Sequence, residues 1–209
     1  MAARIQHTVT SGTFTLDGAT HDVDNNVWVV GDDRECLVVD APHEVDTILD
    51  LVDGRSVRAV LCTHAHDDHV RRAPELADET GAPVLLHPDD RVLWDLTHPE
   101  RSPDGKLTHD QELRAGGAQF RIIHTPGHAP GSVCAYSPTL GTVFTGDTLF
   151  AGGPGATGRS YSDFGVIVES IRHHLLPLPD ETVVHPGHGE STTIGAVRAE
   201  FDAWVERGW

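Results

Sequence analysis

Five short polar motifs constrain this chain more than any other feature, because each follows an apolar run of strand length. Residues 36–40 end in Asp40, and residues 57–62 lead into THAHDDH at 63–69. Residues 120–123 precede TPGH at 125–128, residues 142–144 precede TGDT at 145–148, and residues 182–184 precede PGHG at 186–189. Loops at strand ends can converge on one edge of a sheet, where sites on such scaffolds are built. The pattern predicts alternating strands and helices whose five motifs form one cluster.

The remaining pattern fills in the elements. Residues 14–16 and 27–30 read as a hairpin-like start. Val45, Ile48, Leu49 and Val52 recur at helical spacing, so a helix is expected over 44–52, closed by Gly54. A second helix is expected after THAHDDH, ending near Thr80 ahead of Gly81, with a strand at 84–86. Residues 133–136 read as a further strand. Phe164, Ile167, Val168, Ile171 and Leu175 form one apolar helix face, and Val197, Phe201, Trp204 and Val205 mark a closing amphipathic helix. Residues 87–117 are polar and irregular and read as a connection or surface subdomain. The 209 residues suit a single domain spanning 1–209.

Composition narrows the partners. A formal net charge of −17 argues against nucleic acid, whose phosphates want a basic surface. No apolar run approaches the roughly 18 residues needed to span a bilayer, so no membrane role is expected. No apolar segment follows Arg4 as in a secretory leader, which makes the cytoplasm the expected location. Cys36, Cys62 and Cys134 form no CxxC pair and read as small core residues in a reducing compartment.

The motifs themselves carry metal chemistry. HxHxDH packs three imidazoles and a carboxylate into six residues. His64 and His66 alternate as in extended chain and can point the same way, while Asp68 and His69 lie beyond the turn and can face a second position. Nitrogen mixed with carboxylate oxygen suits zinc, iron or manganese, whereas magnesium and calcium favour oxygen-only shells. His128 and His188 follow Gly/Pro turns that bring backbone close to a site, and Asp147 offers a carboxylate able to bridge two metals. In a chain with 15 histidines an HxH alone would say little, but five motifs in this order say much more. The other histidines are expected at the surface or in ordinary hydrogen bonds, with a bracing role open to His124 beside TPGH.

In this order THAHDDH, TPGHAPGS, FTGDTLF and PGHG resemble the metallo-β-lactamase superfamily, and most closely its glyoxalase II-like (hydroxyacylglutathione hydrolase-like) branch. The resemblance runs from Asp40 to the closing helix. It implies an α/β (α+β) fold, a four-layer αββα sandwich of two mixed β-sheets with helices outside and metals at one edge. It implies two divalent metal ions, zinc first with iron or manganese as alternatives. His64, His66 and His128 would hold one, Asp68, His69 and His188 the other, with Asp147 bridging and Asp40 bracing the metal loops without ligating.

The implied activity is thioester hydrolysis through a metal-bridging hydroxide, with a small acyl-thiol as partner and Asp68 as proton acceptor or shuttle. β-Lactamases usually carry cysteine or serine at the position of Asp147, and flavodiiron-type relatives usually carry glutamate at that of His66. The alternatives are lactone or other ester hydrolysis, and persulfide dioxygenation by a single iron held at His64, His128 and Asp147. The helical extension that usually carries basic residues for glutathione is missing from this chain, which favours another low-molecular-weight thiol such as mycothiol or bacillithiol. Arg159 and Tyr161, in the loop after Asp147, are the candidate contacts to a substrate carboxylate or sugar.

Overall fold

The computed structural model describes residues 2–208. It begins with an antiparallel hairpin of two 13-residue strands, β1 (Arg4–Leu16) and β2 (Ala19–Gly31), joined at Asp17–Gly18. This hairpin is far longer than the apolar runs at 14–16 and 27–30 suggest. Most of β1 and the first half of β2 are only partly buried, so polar residues occupy positions that an apolar criterion overlooks. Next come β3 (Glu35–Val39), antiparallel to β2, and then β4 (Ser56–Leu61), β5 (Val84–Leu86) and β6 (Gly105–Lys106), each parallel to the strand before it. These six strands form the first sheet in chain order.

The second sheet uses β7 (Glu112–Ala115), β8 (Ala118–His124), β9 (Val133–Ser137) and β10 (Thr142–Gly146). A small separate hairpin, β11 (Leu149–Phe150) and β12 (Gly153–Pro154), follows, and then β13 (Val183–Pro186) and β14 (Thr192–Thr193). The order is β14-β13-β10-β9-β8-β7, with β10 and β13 parallel and the other pairs antiparallel.

Period-two alternation sorts the side chains into layers. In β2, Trp28 and Val30 face the second sheet, while Val27 and Val29 face outward onto helices; in β3, Leu37 and Val39 face inward and Cys36 and Val38 outward. The outer face of the first sheet is covered by α1 (Val45–Val52), the short α2 (Asp67–Val70), α3 (Ala73–Thr80) and α4 (Arg91–Thr97), through Ile48, Leu76 and Trp94. The outer face of the second is covered by α5 (Phe164–Ser170), which runs on as a π-helical turn over Ile171–Leu175, and by α6 (Ile194–Arg207). The result is the four-layer αββα sandwich of two mixed sheets. Burying each Val or Leu of these layers contributes about 1.5–3 kcal/mol. No helix among the described residues is long and apolar enough to cross a membrane.

Residues 87–117 depart from expectation. They hold a helical turn at Pro88–Asp90, α4, β6 and β7, and they carry the chain from the first sheet to the second while burying Asp90, Leu93, Trp94 and Leu107. The pattern misled because α4 exposes Val92 and Leu96 while burying Leu93 and Trp94, so its apolar residues mark no single face. Trp94 is fully buried, and its Nε1 donates to Arg101 O at 2.6 Å. Trp94→Ala is expected to cost about 3–5 kcal/mol of stability in urea unfolding. Trp94→Phe, which keeps the ring but orphans the Arg101 carbonyl, should cost less.

Candidate metal centre

All five motifs leave the C-terminal ends of strands: Asp40 follows β3, residues 63–69 follow β4, His128 lies beyond β8, Asp147 follows β10 and His188 follows β13. β3 and β4 are parallel, as are β10 and β13, and β8 is related to β10 through two antiparallel steps. The directions therefore agree, and the loops meet at one edge of the sandwich.

Acceptors behind four of the five imidazoles fix how those rings face this edge, while His66 Nε2 is buried without a hydrogen-bond partner. His69 Nδ1 donates to Asp40 Oδ2 at 2.9 Å, His128 Nδ1 to Ala156 O at 2.9 Å, and His188 Nδ1 to Asp24 O at 2.7 Å. Asp40 also accepts from Thr63 N at 2.7 Å and from Thr63 Oγ1 at 2.8 Å. With its proton so committed, the Thr63 hydroxyl serves as acceptor for His64 Nδ1 at 3.2 Å. A proton held at Nδ1 leaves Nε2 as a bare lone pair, the form in which histidine ligates metals. Asp40 thus braces two loops.

The lone pairs and carboxylates converge. His66 Nδ1 lies 3.0 Å from both His64 Nε2 and His128 Nε2. His188 Nε2 lies 3.3 Å from His69 Nε2 and 3.3 Å from Asp68 Oδ2. Asp147 reaches both groups, with Oδ1 3.3 Å from His69 Nε2 and Oδ2 3.6 Å from His128 Nε2. Ligands held about 2.1 Å from one ion sit roughly 3.0–3.4 Å apart in octahedral or tetrahedral array. Asp147 Oδ1 is also buried with no hydrogen-bond partner. These donors fit two divalent cations, one at His64, His66 and His128 and one at Asp68, His69 and His188, with Asp147 between them.

The two halves differ electrostatically. Burial, reinforced by neighbouring imidazoles, holds His64 well below its ordinary range and His66 down at about 3, so these rings are neutral. At the other half burial works against a charged imidazole, yet Asp147 and Asp68 outweigh it and raise His188 to about 10 and His69 well above its ordinary value. Asp68, despite burial that favours its acid form, is brought to about 2 by His69 and by hydrogen bonds from His188 and Asn25. A carboxylate held so low is a weak base. Asp68 is thus held as a carboxylate, the form in which it would ligate a cation.

Several residues here escaped the sequence reading. Asn25 Nδ2 donates to Asp68 Oδ2 at 3.0 Å, and Asn26 donates through its backbone to Gly187 O and through Nδ2 to Pro186 O and Gly189 O. Trp28 Nε1 also donates to Pro186 O. The adjacent asparagines follow alternation: one side chain enters the site and the next seats the loop of His188. A polar pair leading into an apolar strand was the available signal. Gly187 sits where a β-carbon would overlap Asp147 Oδ1 and the His69 ring.

A cavity of about 220 Å³ opens over His66, Asp68, His128, Asp147 and His188, walled by Phe14, Val23, Arg159, Ser160 and Ser162. Arg159 lies across the Phe14 ring, its guanidinium carbon 5.2 Å from the centroid, with Nη2 3.4 Å from His21 Nε2. Tyr161 is 47% exposed and not among the residues lining the cavity. His124 donates to Pro130 O at 2.9 Å and stacks on His87, so it supports the loop of His128 and stands outside the two groups around Asp147. The three cysteines are buried and free, and none belongs to a ligand group.

Because His69 and His188 hold protons that a cation must displace, loading the second half should release protons and weaken as pH falls. Calorimetric zinc titration at pH 7 in buffers of different ionisation enthalpy should show this release, largest in the equivalent that occupies Asp68, His69 and His188.

Comparison with known proteins agrees with this geometry. The family model for the metallo-beta-lactamase superfamily matches residues 22–188. Hydroxyacylglutathione hydrolase GloC of Haemophilus influenzae is 31% identical over 185 residues, covering 81% of this chain and 86% of that one. Among solved structures, BLEG-1 B3 metallo-beta-lactamase superposes with a TM-score of 0.78 at 29% identity, covering 91% of this chain and 97% of that one. TTHA1623 in a di-iron-bound form gives 0.74 at 34% identity, covering 84% and 93%. With a family match over most of its length and a donor set suited to two cations, this chain belongs to the metallo-beta-lactamase superfamily as one of its metal-dependent hydrolases.

Proposed function

We propose that the chain hydrolyses thioesters of a low-molecular-weight thiol with two divalent metals in place, zinc first and iron or manganese as alternatives. The observation that carries this reading is Asp147, whose two oxygens address His69 on one side and His128 on the other. When bound, two metals would supply a nucleophilic hydroxide at neutral pH and positive charge for a developing oxyanion. The protein's own part is to hold the donors, seat the acyl group against Phe14 and Val23, and orient the thiol at the open side of the cavity.

Leaving-group chemistry favours thioesters over amides. Asp68 and Asp147 are both held in the carboxylate form, and the rest of the cavity wall offers no carboxylic acid to protonate an amine. A thiolate leaves without such help. The Haemophilus relative named for glutathione is matched over 86% of its length, so glutathione belongs in a substrate panel beside mycothiol and bacillithiol. The buried free thiols support a reducing cytoplasm as the location.

Asp147→Ala should lose at least one equivalent of metal by elemental analysis and lower acyl-thiol hydrolysis at least about a hundredfold. Intact metal content and activity would sink the bridging role. A wild-type enzyme with one iron that takes up oxygen on persulfides, or one that prefers lactones or β-lactams across the panel, would replace the thioester reading.

Arg159 is placed to receive a carboxylate of the thiol moiety, its guanidinium over the Phe14 ring at the cavity wall. Arg159→Ala should raise KM about tenfold or more for carboxylate-bearing thioesters. It should leave carboxylate-free analogues nearly unchanged, and Tyr161→Phe should change neither. Steady-state kinetics on matched substrate pairs checks this.

A further inference from the structure

Asp90 lies outside the five motifs, at the end of the turn Pro88–Asp90, and is fully buried. Among the described residues no cationic side chain pairs with it. Each carboxylate oxygen instead accepts one backbone N–H, Oδ2 from Ala65 at 2.7 Å and Oδ1 from Gly131. Ala65 stands between His64 and His66, and Gly131 stands three residues after His128. One side chain therefore joins the two loops that carry all three histidines of one metal group. The approach is close: a β-carbon on Gly131 would sit 2.6 Å from Asp90 N and 2.9 Å from Oδ1.

A buried carboxylate without a counter-charge is costly, and an apolar side chain would fill the same space more cheaply. What an apolar residue cannot do is accept from two N–H groups that arrive from two different loops. Asparagine cannot either, because its NH₂ would face one of those donors. We infer that Asp90 is a positioning residue that clamps these loops, tying His64 and His66 to His128, whereas Asn25 and Asn26 serve the neighbouring group and Asp40 touches both through Thr63 and His69. The inference rests on the two-metal reading and adds that the His64, His66 and His128 group has a clamp of its own beside the Asp40 brace that both halves share.

The test titrates metal-free wild type, Asp90→Asn, His128→Ala and His188→Ala with cobalt(II), following heat and visible absorption. Wild type should take up two equivalents. Asp90→Asn should keep one at wild-type affinity and bind the other about 10–100-fold more weakly. Its spectrum at limiting cobalt should match that of His128→Ala and not that of His188→Ala. Two equivalents at wild-type affinity, or equal weakening of both, would overturn the inference while leaving the two-metal reading intact. Fewer than two equivalents in wild type would overturn that reading and the inference with it. Amide exchange in metal-free wild type needs no variant: Ala65 and Gly131 should be protected, and exchange at open-loop rates would also refute the clamp.

Discussion

Imidazole protons held on the far side of the rings decide what this edge of the molecule can be. Asp40, Ala156 and Asp24 each take an Nδ1 proton, and Thr63 passes the demand of His64 on to Asp40. Bare Nε2 atoms are thereby aimed at one another and at Asp68 and Asp147 inside a buried pocket. Lone pairs and carboxylates packed at 3.0–3.6 Å repel unless positive charge lies among them. In the second half protons can supply that charge, as the raised values of His69 and His188 indicate. In the first half burial keeps His64 and His66 neutral, and a cation placed among His64 Nε2, His66 Nδ1 and His128 Nε2 would serve all three rings at once. The same donor set thus contains one group of neutral imidazoles and one whose imidazoles favour their protons.

The seven donors were legible in the sequence because ligating residues cannot be replaced by others of similar size. HxHxDH, TPGH, GDT and PGHG keep their chemistry wherever the chain takes them, and strand direction brings them together. The layered fold was legible in β3 and in the second half of β4, where unbroken burial leaves unbroken apolar runs. Hydrogen-bond partners were harder to see. Asn25 and Asn26 look like ordinary polar residues until β2 is known to run along the rim, and Asp90 looks like a surface acid in a polar stretch. Its partners are backbone N–H groups, which leave no trace in the identities of Ala65 and Gly131 beyond the absence of a side chain at Gly131.

Burial also explains why the regular elements within 87–117 escape the apolar pattern. Sequence pattern registers how many apolar residues a segment has, whereas the core registers which ones it needs. Here it needs Leu93, Trp94 and Leu107, all at most 2% exposed, together with one carboxylate. Residues that look peripheral in composition therefore support the loops of His64, His66 and His128 from behind.

Asp40 adds a conformational cost to the electrostatic one. It sits at φ 61, a left-handed backbone that costs a residue with a β-carbon about 1–2 kcal/mol. That turn at the end of β3 lets one carboxylate meet Thr63 N, Thr63 Oγ1 and His69 Nδ1 together, which a continuing strand would not allow. Strain of this kind persists only where surrounding contacts over-determine it. Three charge-assisted hydrogen bonds, each worth about 1.5–3 kcal/mol, exceed it comfortably. The rim of the sandwich is thus stabilised by the same contacts that aim the ligands.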